Sequence, residues 1–174
     1  MKRIFLTVLA VLAFGLANAQ EGIKFGVKGG LNFTNFGGDS DSNGKTGFYV
    51  GGLADFTVTD KFHVQPEVLY SNEGAEDAKL DYIRIPIMAK YYVYQGLSIQ
   101  AGPEIAFKIA AENDFLDEST KSIDFALGFG AGYELPNGLF FDLRYNAGLT
   151  NINDTDTGFD VNNTGFQIGA GYRF

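Results

Sequence analysis

The segment QIGAGYRF, residues 167–174, ends the sequence and decides how the rest of it is interpreted. Large apolar side chains alternate with small or polar ones, so Ile168, Tyr172 and Phe174 share one face of a strand while Arg173 lies on the other. A two-residue period of this kind predicts a β-strand with one wholly apolar face. The question is whether that apolar face points into a protein core or outward.

The composition favours one all-β domain. The 174 residues include 17 Phe, 9 Tyr and 23 Gly but no Cys and no Trp, a balance that suits strands and tight turns better than helices. Without cysteine there is no disulfide, no thiolate nucleophile and no cysteine to carry a lipid anchor. His63 is the single histidine, which excludes a multi-histidine metal site. We expect neither a cofactor nor a metal.

Residues 1–19 are predicted to be a cleaved signal peptide. Lys2 and Arg3 supply a positive start, residues 4–17 are mostly apolar, and Ala17-Asn18-Ala19 has the small-x-small pattern of a cleavage site. The apolar stretch is shorter than the roughly 20 residues of a membrane-spanning helix. The mature chain is therefore expected to be exported, to begin at Gln20 and to form a single domain over residues 20–174.

The mature chain divides into eight alternating segments. Their predicted bounds are 23–34, 46–58, 62–72, 80–94, 97–110, 123–135, 139–150 and 163–174. Short turns at 59–61, 95–96 and 136–138 alternate with longer polar connections at 35–45, 73–79, 111–122 and 151–162. This rhythm predicts an eight-stranded antiparallel up-and-down β-barrel with both termini on the short-turn side.

Periodicity alone leaves two barrels open, because a soluble ligand-binding barrel turns its apolar face inward and a transmembrane barrel turns it outward. Three features favour the transmembrane arrangement: glycine-rich polar faces, aromatic residues gathered toward strand ends, and the terminal aromatic. The predicted turn-side girdle is Phe56, Phe62, Tyr91, Tyr133, Phe141, Tyr172 and Phe174, and the loop-side girdle is Phe33, Phe48, Tyr70, Phe107, Phe125, Tyr145 and Phe166.

The mature sequence resembles the small outer-membrane β-barrel family, the OmpA/OmpX-type barrels often labelled porin family proteins. The stretches that carry the resemblance are 24–32, 65–71, 82–87 and the closing 171–174. It implies an outer-membrane location, periplasmic termini, a lipid bilayer partner and insertion by the barrel-assembly machinery. That machinery is expected to read an assembly signal composed of Gln167, Gly169, Tyr172 and Phe174.

The inward faces carry most of the charge, and we predict that they form a lumenal charge network. The predicted acids are Asp55, Glu67, Glu104, Asp124, Glu134 and Asp142, and the predicted bases are Lys24, Lys28, Arg84, Lys90, Lys108, Arg144 and Arg173. Six acids against seven bases would make the lumen nearly neutral. Because eight strands enclose a space that side chains can fill, we expect paired charges that close the lumen, with a narrow channel for small ions or solutes as the alternative.

The long loops are predicted to be acidic. Thirteen acids lie in or beside them: Asp39, Asp41, Glu73, Glu76, Asp77, Asp81, Glu112, Asp114, Asp117, Glu118, Asp154, Asp156 and Asp160. Such loops disfavour nucleic acid and would attract basic or divalent partners, although a merely solvated rim explains them as well. Residues 39–44 and 154–158 imitate calcium-loop fragments, but Val50 stands where a bidentate Glu belongs.

Catalysis is not expected. His63 could act as a general base and Glu67 with Glu104 as an acid/base pair, but no nucleophile accompanies them and ion pairing explains both carboxylates. We therefore predict a monomeric barrel with a structural or surface-interaction role. Its acidic extracellular loops would contact a ligand whose identity the sequence does not reveal. A membrane-embedded enzyme acting on lipid or peptide is a further, weaker hypothesis.

Overall fold

In the computed structural model of the chain, residues 22–38, 44–75, 78–112, 120–151 and 161–174 are described, and they form eight β-strands. The strands are β1 (Ile23–Gly38), β2 (Lys45–Thr57), β3 (Phe62–Ala75), β4 (Ala78–Tyr94), β5 (Leu97–Ala111), β6 (Ile123–Glu134), β7 (Leu139–Gly148) and β8 (Val161–Arg173). Within these ranges, no helix is long and apolar enough to cross a membrane.

The strands form a closed antiparallel barrel in chain order. Each strand pairs with its sequence neighbour, and β1 also pairs with β8, where Gly30 lies opposite Gly169 and Phe33 opposite Phe166. Closure removes the unpaired edges that an open sheet would expose. The predicted fold class is confirmed.

The short turns are tight because glycine permits the required backbone. Gly96 follows β4 with φ of +83° and Gly138 precedes β7 with φ of +88°. Residues other than glycine rarely adopt this backbone region. Both turns lie where the sequence predicted them. They hold consecutive strands close together at the turn-side end of the barrel.

Several strands extend further toward the loop side than predicted. β3 continues to Ala75 and β4 begins at Ala78, because pairs such as Glu73 with Leu80 and Gly74 with Lys79 continue the ladder beyond residue 72. The predicted loop at 73–79 is therefore mostly strand. Most acids of the predicted loops, together with both calcium-like fragments and the predicted signal peptide, lie wholly or largely outside the described residues.

The two faces of the barrel differ as the alternation predicts. Along β5, β6 and β7, buried and exposed side chains alternate over most of each strand. The outward side chains are large and apolar, for example Phe129 at 46% and Leu143 at 52% exposure, whereas the buried set includes Glu67 and Arg144 at 1% and 0%. The barrel thus has an apolar exterior and a polar interior, the inverse of a soluble barrel.

Aromatic side chains lie on the exterior near both ends. Phe33, Phe48 and Phe166 are exposed toward the loop side, and Tyr133 and Phe141 toward the turn side. The rings also contact one another in pairs, as between Tyr145 and Phe166 at 4.8 Å and between Tyr172 and Phe174 at 5.5 Å. Aromatic rings at two levels, with the amphipathic Tyr133, Tyr145 and Tyr172 among them, are the arrangement expected at the two interfaces of a bilayer.

Candidate functional site

The central layer of the interior is organised around Glu67 of β3. Arg144 of β7 reaches across the barrel and donates two hydrogen bonds to its carboxylate, at 2.7 and 3.1 Å. Lys28 of β1 lies 3.5 Å from the same carboxylate and forms a short ion pair with Asp142. Tyr49 donates to the other oxygen of Asp142 at 3.3 Å. These contacts join strands that are not neighbours in the sheet, so they cross the lumen.

The loop-side layer is organised around Arg84 of β4. Its Nε and Nη2 atoms each donate to Glu73 of β3 at 2.5 Å, a two-bond geometry that matches a planar guanidinium to a carboxylate. Asn163 of β8 donates to the same Glu73 at 2.6 Å. Glu104 and Asp124 are also fully buried, yet their nearest Arg84 nitrogens are 3.5 Å away. One guanidinium therefore serves three carboxylates unequally.

The turn-side layer gathers around Arg173, the penultimate residue. Its guanidinium forms a short ion pair with Glu134 of β6 and donates a hydrogen bond to the Tyr92 hydroxyl at 2.9 Å. Asp55 of β2 lies 3.4 Å from Arg173 and 2.5 Å from the Nδ1 atom of His63. Arg173 also donates to Gln65 of β3 at 2.8 Å, so this one side chain joins the last strand to residues of four other strands.

Most of the predicted network residues are brought together by the fold. Those that are buried and linked by ion pairs are Asp55, Glu67, Glu104, Asp124, Asp142, Lys28, Arg84, Lys90, Arg144 and Arg173, with Glu134 half-buried beside them. Lys24 is exposed at the turn-side end of β1. Lys108 is half-buried and donates to the backbone oxygen and the hydroxyl of Thr120.

Glu73 is the main residue that the sequence analysis misplaced. The sequence predicts it in an acidic loop, whereas it is 1% exposed and binds Arg84 inside the barrel. The available signal is that Glu73 lies two and four residues after the inward Ser71 and Leu69, but the predicted strand ends at residue 72. With Glu73 inside and Lys24 outside, the buried interior of the described chain holds six acids and five bases. The expected near-neutral balance is shifted toward negative charge.

The four residues of the predicted assembly signal divide between the two faces. Gln167 is buried opposite Asn32, whereas Tyr172 and Phe174 lie outside with their rings in edge contact. Gly169 leaves the space that the Tyr49 ring occupies, since a Cβ there would lie 2.0 Å from the Tyr49 hydroxyl. The glycine is therefore required by packing, whatever reads the strand.

The residues considered for catalysis are bound to other groups of the interior. His63 contacts Asp55 and, through its ring, Tyr92 at 4.9 Å between centroids. Glu67 and Glu104, the imagined acid/base pair, are both engaged by Arg144. Within the described ranges, no three His, Cys, Asp or Glu side chains are grouped so that they could hold a metal ion.

A closed eight-stranded barrel with an apolar exterior, aromatic residues toward both ends and a buried, charged interior defines a small transmembrane β-barrel. Residues 6–174 match the family described as "Outer membrane protein beta-barrel domain", and the chain belongs to that family. It is accordingly an outer-membrane β-barrel protein, which excludes the soluble ligand-binding barrel.

Solved structures agree with this fold. Neisserial surface protein A matches with a TM-score of 0.63 at 15% identity, over 88% of this chain and 100% of that one. Ail, the attachment invasion locus protein of Yersinia pestis, matches with a TM-score of 0.54 at 17% identity, over 89% and 100%. A de novo designed transmembrane β-barrel matches with a TM-score of 0.53 at 14% identity, over 89% and 98%. No curated protein matches the chain in sequence.

Proposed function

We propose that this protein is a closed outer-membrane anchor that presents acidic loops at the cell surface, rather than a channel or an enzyme. The observation that carries the proposal is the set of buried ion pairs across the lumen, above all that of Arg144 with Glu67. An eight-stranded barrel has an interior that side chains can fill. Charged side chains that bind each other in the lumen leave little room for a continuous chain of water molecules through the barrel.

Conductance in planar bilayers tests this proposal. The parent protein is expected to show no steady conductance, because Glu67 binds Arg144 across the lumen and Arg84 binds three carboxylates inside it. Glu67→Ala and Arg84→Ala, which remove one partner from the central layer and one from the loop-side layer, are expected to give brief openings. Lys79→Ala is the matched control, since its pair with Glu112 is exposed at the barrel end. Large steady conductance of the parent would favour the narrow channel instead.

The surface role rests on the charge outside the barrel. Without Lys2 and Arg3 the chain keeps 21 acids and 11 bases, and most of the acids that are not in the interior fall in the long connections. Such a surface would attract basic or divalent partners and repel nucleic acid. Capture from intact cells, comparing the parent with chains whose loops are exchanged for neutral ones, tests this; equal capture by both would refute a loop-borne role.

The route to the membrane forms part of the same proposal. Residues 1–19 would be removed at Ala19, the mature chain would begin at Gln20, and both termini would lie in the periplasm. The barrel-assembly machinery would recognise the segment that contains Gln167, Gly169, Tyr172 and Phe174, and the barrel would remain monomeric in the lipid bilayer. The mass of the protein isolated from outer membranes would show whether the first 19 residues are removed.

A further inference from the structure

The central and loop-side layers of the interior together hold more negative than positive charge. Its five buried carboxylates are those of Glu67, Glu73, Glu104, Asp124 and Asp142, and the basic groups within 4 Å of them among the described residues are Lys28, Arg84 and Arg144. Lys45, half-buried at the loop-side end, donates to the backbone oxygen of Glu73 rather than to a carboxylate. Burying a carboxylate without a counter-charge is costly, so this excess needs a compensating group.

The excess is concentrated on Glu104 and Asp124. Glu67 and Glu73 each receive two hydrogen bonds from a guanidinium, whereas the arginine nitrogens nearest Glu104 and Asp124 lie at 3.5 Å. The Oε1 atom of Glu104 and the Oδ1 atom of Asp124 accept no hydrogen bond from any described group. These two carboxylates are therefore the ones with binding capacity left.

Buried amide oxygens with no donor lie in the same region. The side-chain oxygens of Asn146, Asn163 and Gln167 are buried without a hydrogen-bond partner among the described residues, and the three residues are 5%, 1% and 3% exposed. The Nδ2 atom of Asn163 donates to Glu73, which fixes its oxygen on the other side. An oxygen that accepts nothing in a dry interior is rare in folded proteins.

A small cavity brings these oxygens together. It is lined by Asn146, Asn163 and Gln167 with Glu73 and Arg84, and its volume of about 10 Å³ has room for the centre of one water-sized species. Glu104 does not line the cavity, but its Oε1 atom lies close to Asn146, because both oxygens crowd the same point beside Gly128, where a Cβ would lie 2.3 Å from Glu104 Oε1 and 3.2 Å from Asn146 Oδ1. Arg84 also lines the cavity, but its Nε and Nη2 atoms already donate to Glu73.

We propose that this cavity binds one hard cation of the Na⁺ or Ca²⁺ class, held by the amide oxygens of Asn146, Asn163 and Gln167 beside the carboxylate of Glu104. Ions of this class take oxygen ligands, including amide carbonyls and carboxylates, at distances a water-sized cavity allows. The cation supplies the positive charge that the central and loop-side layers together lack. This site is distinct from the loop fragments that imitate calcium motifs, and it does not depend on whether the protein conducts.

Linked unfolding measures the binding. The unfolding constant of the refolded protein in detergent micelles is measured in urea at fixed ionic strength, with tetramethylammonium chloride replaced stepwise by NaCl or CaCl₂. Above the dissociation constant, each tenfold rise in the concentration of free cation should lower the unfolding constant about tenfold, because only the folded state binds it. Tetramethylammonium, which is too large for the cavity, should give no such dependence.

Two variants locate the effect. Glu104→Gln keeps the shape and removes the charge, so the cation dependence should weaken by at least tenfold in affinity. Asp39→Asn with Asp41→Asn neutralises the calcium-like loop fragment and should leave the dependence unchanged. If Glu104→Gln does not fold, Asn146→Leu, which removes one ligand oxygen, replaces it. The proposal is overturned if all salts act alike, if the dependence survives Glu104→Gln, or if it disappears in the loop variant.

Discussion

Replacing Arg144 with methionine breaks the central ion pair while keeping an unbranched side chain of similar volume. Arg144 donates two bonds to Glu67 at 2.7 and 3.1 Å, and both side chains are essentially unexposed. Removing one partner of a buried pair typically costs about 3–5 kcal/mol, because the remaining charge stays buried and uncompensated. Lys28 remains 3.5 Å from Glu67 and offsets part of the loss, so we expect about 3 kcal/mol.

The double variant Glu67→Met with Arg144→Met separates the pair from its surroundings. It removes both charges and leaves apolar groups of similar volume, a change that is often neutral or stabilising in protein interiors. Lys28 and Asp142 still bind each other in this variant. We therefore expect the double variant to be more stable than Arg144→Met alone, which gives a favourable coupling energy of about 2–3 kcal/mol in the cycle.

Urea unfolding in lipid vesicles, followed by tyrosine fluorescence or by the shift in gel mobility between folded and unfolded forms, gives these free energies. Lys79→Met is the control, because its pair with Glu112 is exposed and should contribute no more than about 1 kcal/mol. A cost below about 1 kcal/mol for Arg144→Met would contradict this reasoning. So would single costs of Arg144→Met and Glu67→Met that simply add in the double variant.

Three further predictions concern packing, lipid contact and assembly. Gly51→Ala should destabilise the barrel by about 1–3 kcal/mol, because its Cβ would lie 2.0 Å from the backbone oxygen of Val68. Gly52→Ala is the control, with 3.8 Å to the nearest atom, and should change the stability by no more than about 0.5 kcal/mol. Equal urea midpoints for the two variants would contradict this prediction. Leu143→Arg, in the middle of the lipid-facing side of β7, should cost about 2–4 kcal/mol and Leu149→Arg, beyond the strand end, about 0–1, and the reverse order in vesicle unfolding would place the membrane elsewhere. Deleting Phe174 should reduce the heat-modifiable folded fraction in cells while refolding in detergent is retained, and normal assembly in cells would argue against its role in the assembly signal.

The alternation of residue types was enough to predict the faces of the barrel. Leu143 and Arg144 are adjacent in sequence, and their opposite exposures follow from the two-residue period of a strand. The strand ends at the short turns were also predictable, since Gly96 and Gly138 occupy backbone conformations that favour glycine. Local chemistry decides these features, so a single sequence suffices for them.

Partner choice in the interior was not predictable from the same pattern. The odd or even position of a residue in its strand predicts whether its side chain points inward or outward. It does not predict the height of that side chain along the barrel axis, which depends on the register between strands. Arg84 binds Glu73 because β3 and β4 continue to pair beyond residue 72, where polar residues such as Asn72 and Asp81 hydrogen-bond across the hairpin. Lys24 has inward parity but lies so near the strand end that solvent reaches it.

The central claim, a barrel whose lumen is closed by its own side chains, is tested most directly by cysteine labelling, since the chain has no native cysteine. Ser98→Cys places a thiol in the interior, at a position that is 0% exposed, and Ser122→Cys places one at an exposed position before β6. Both are treated, in the folded state, with a membrane-impermeant thiol reagent. We predict that Cys at position 98 reacts slower by about two orders of magnitude or more, because labelling there requires local opening. Reaction of the two variants at similar rates would contradict a closed lumen.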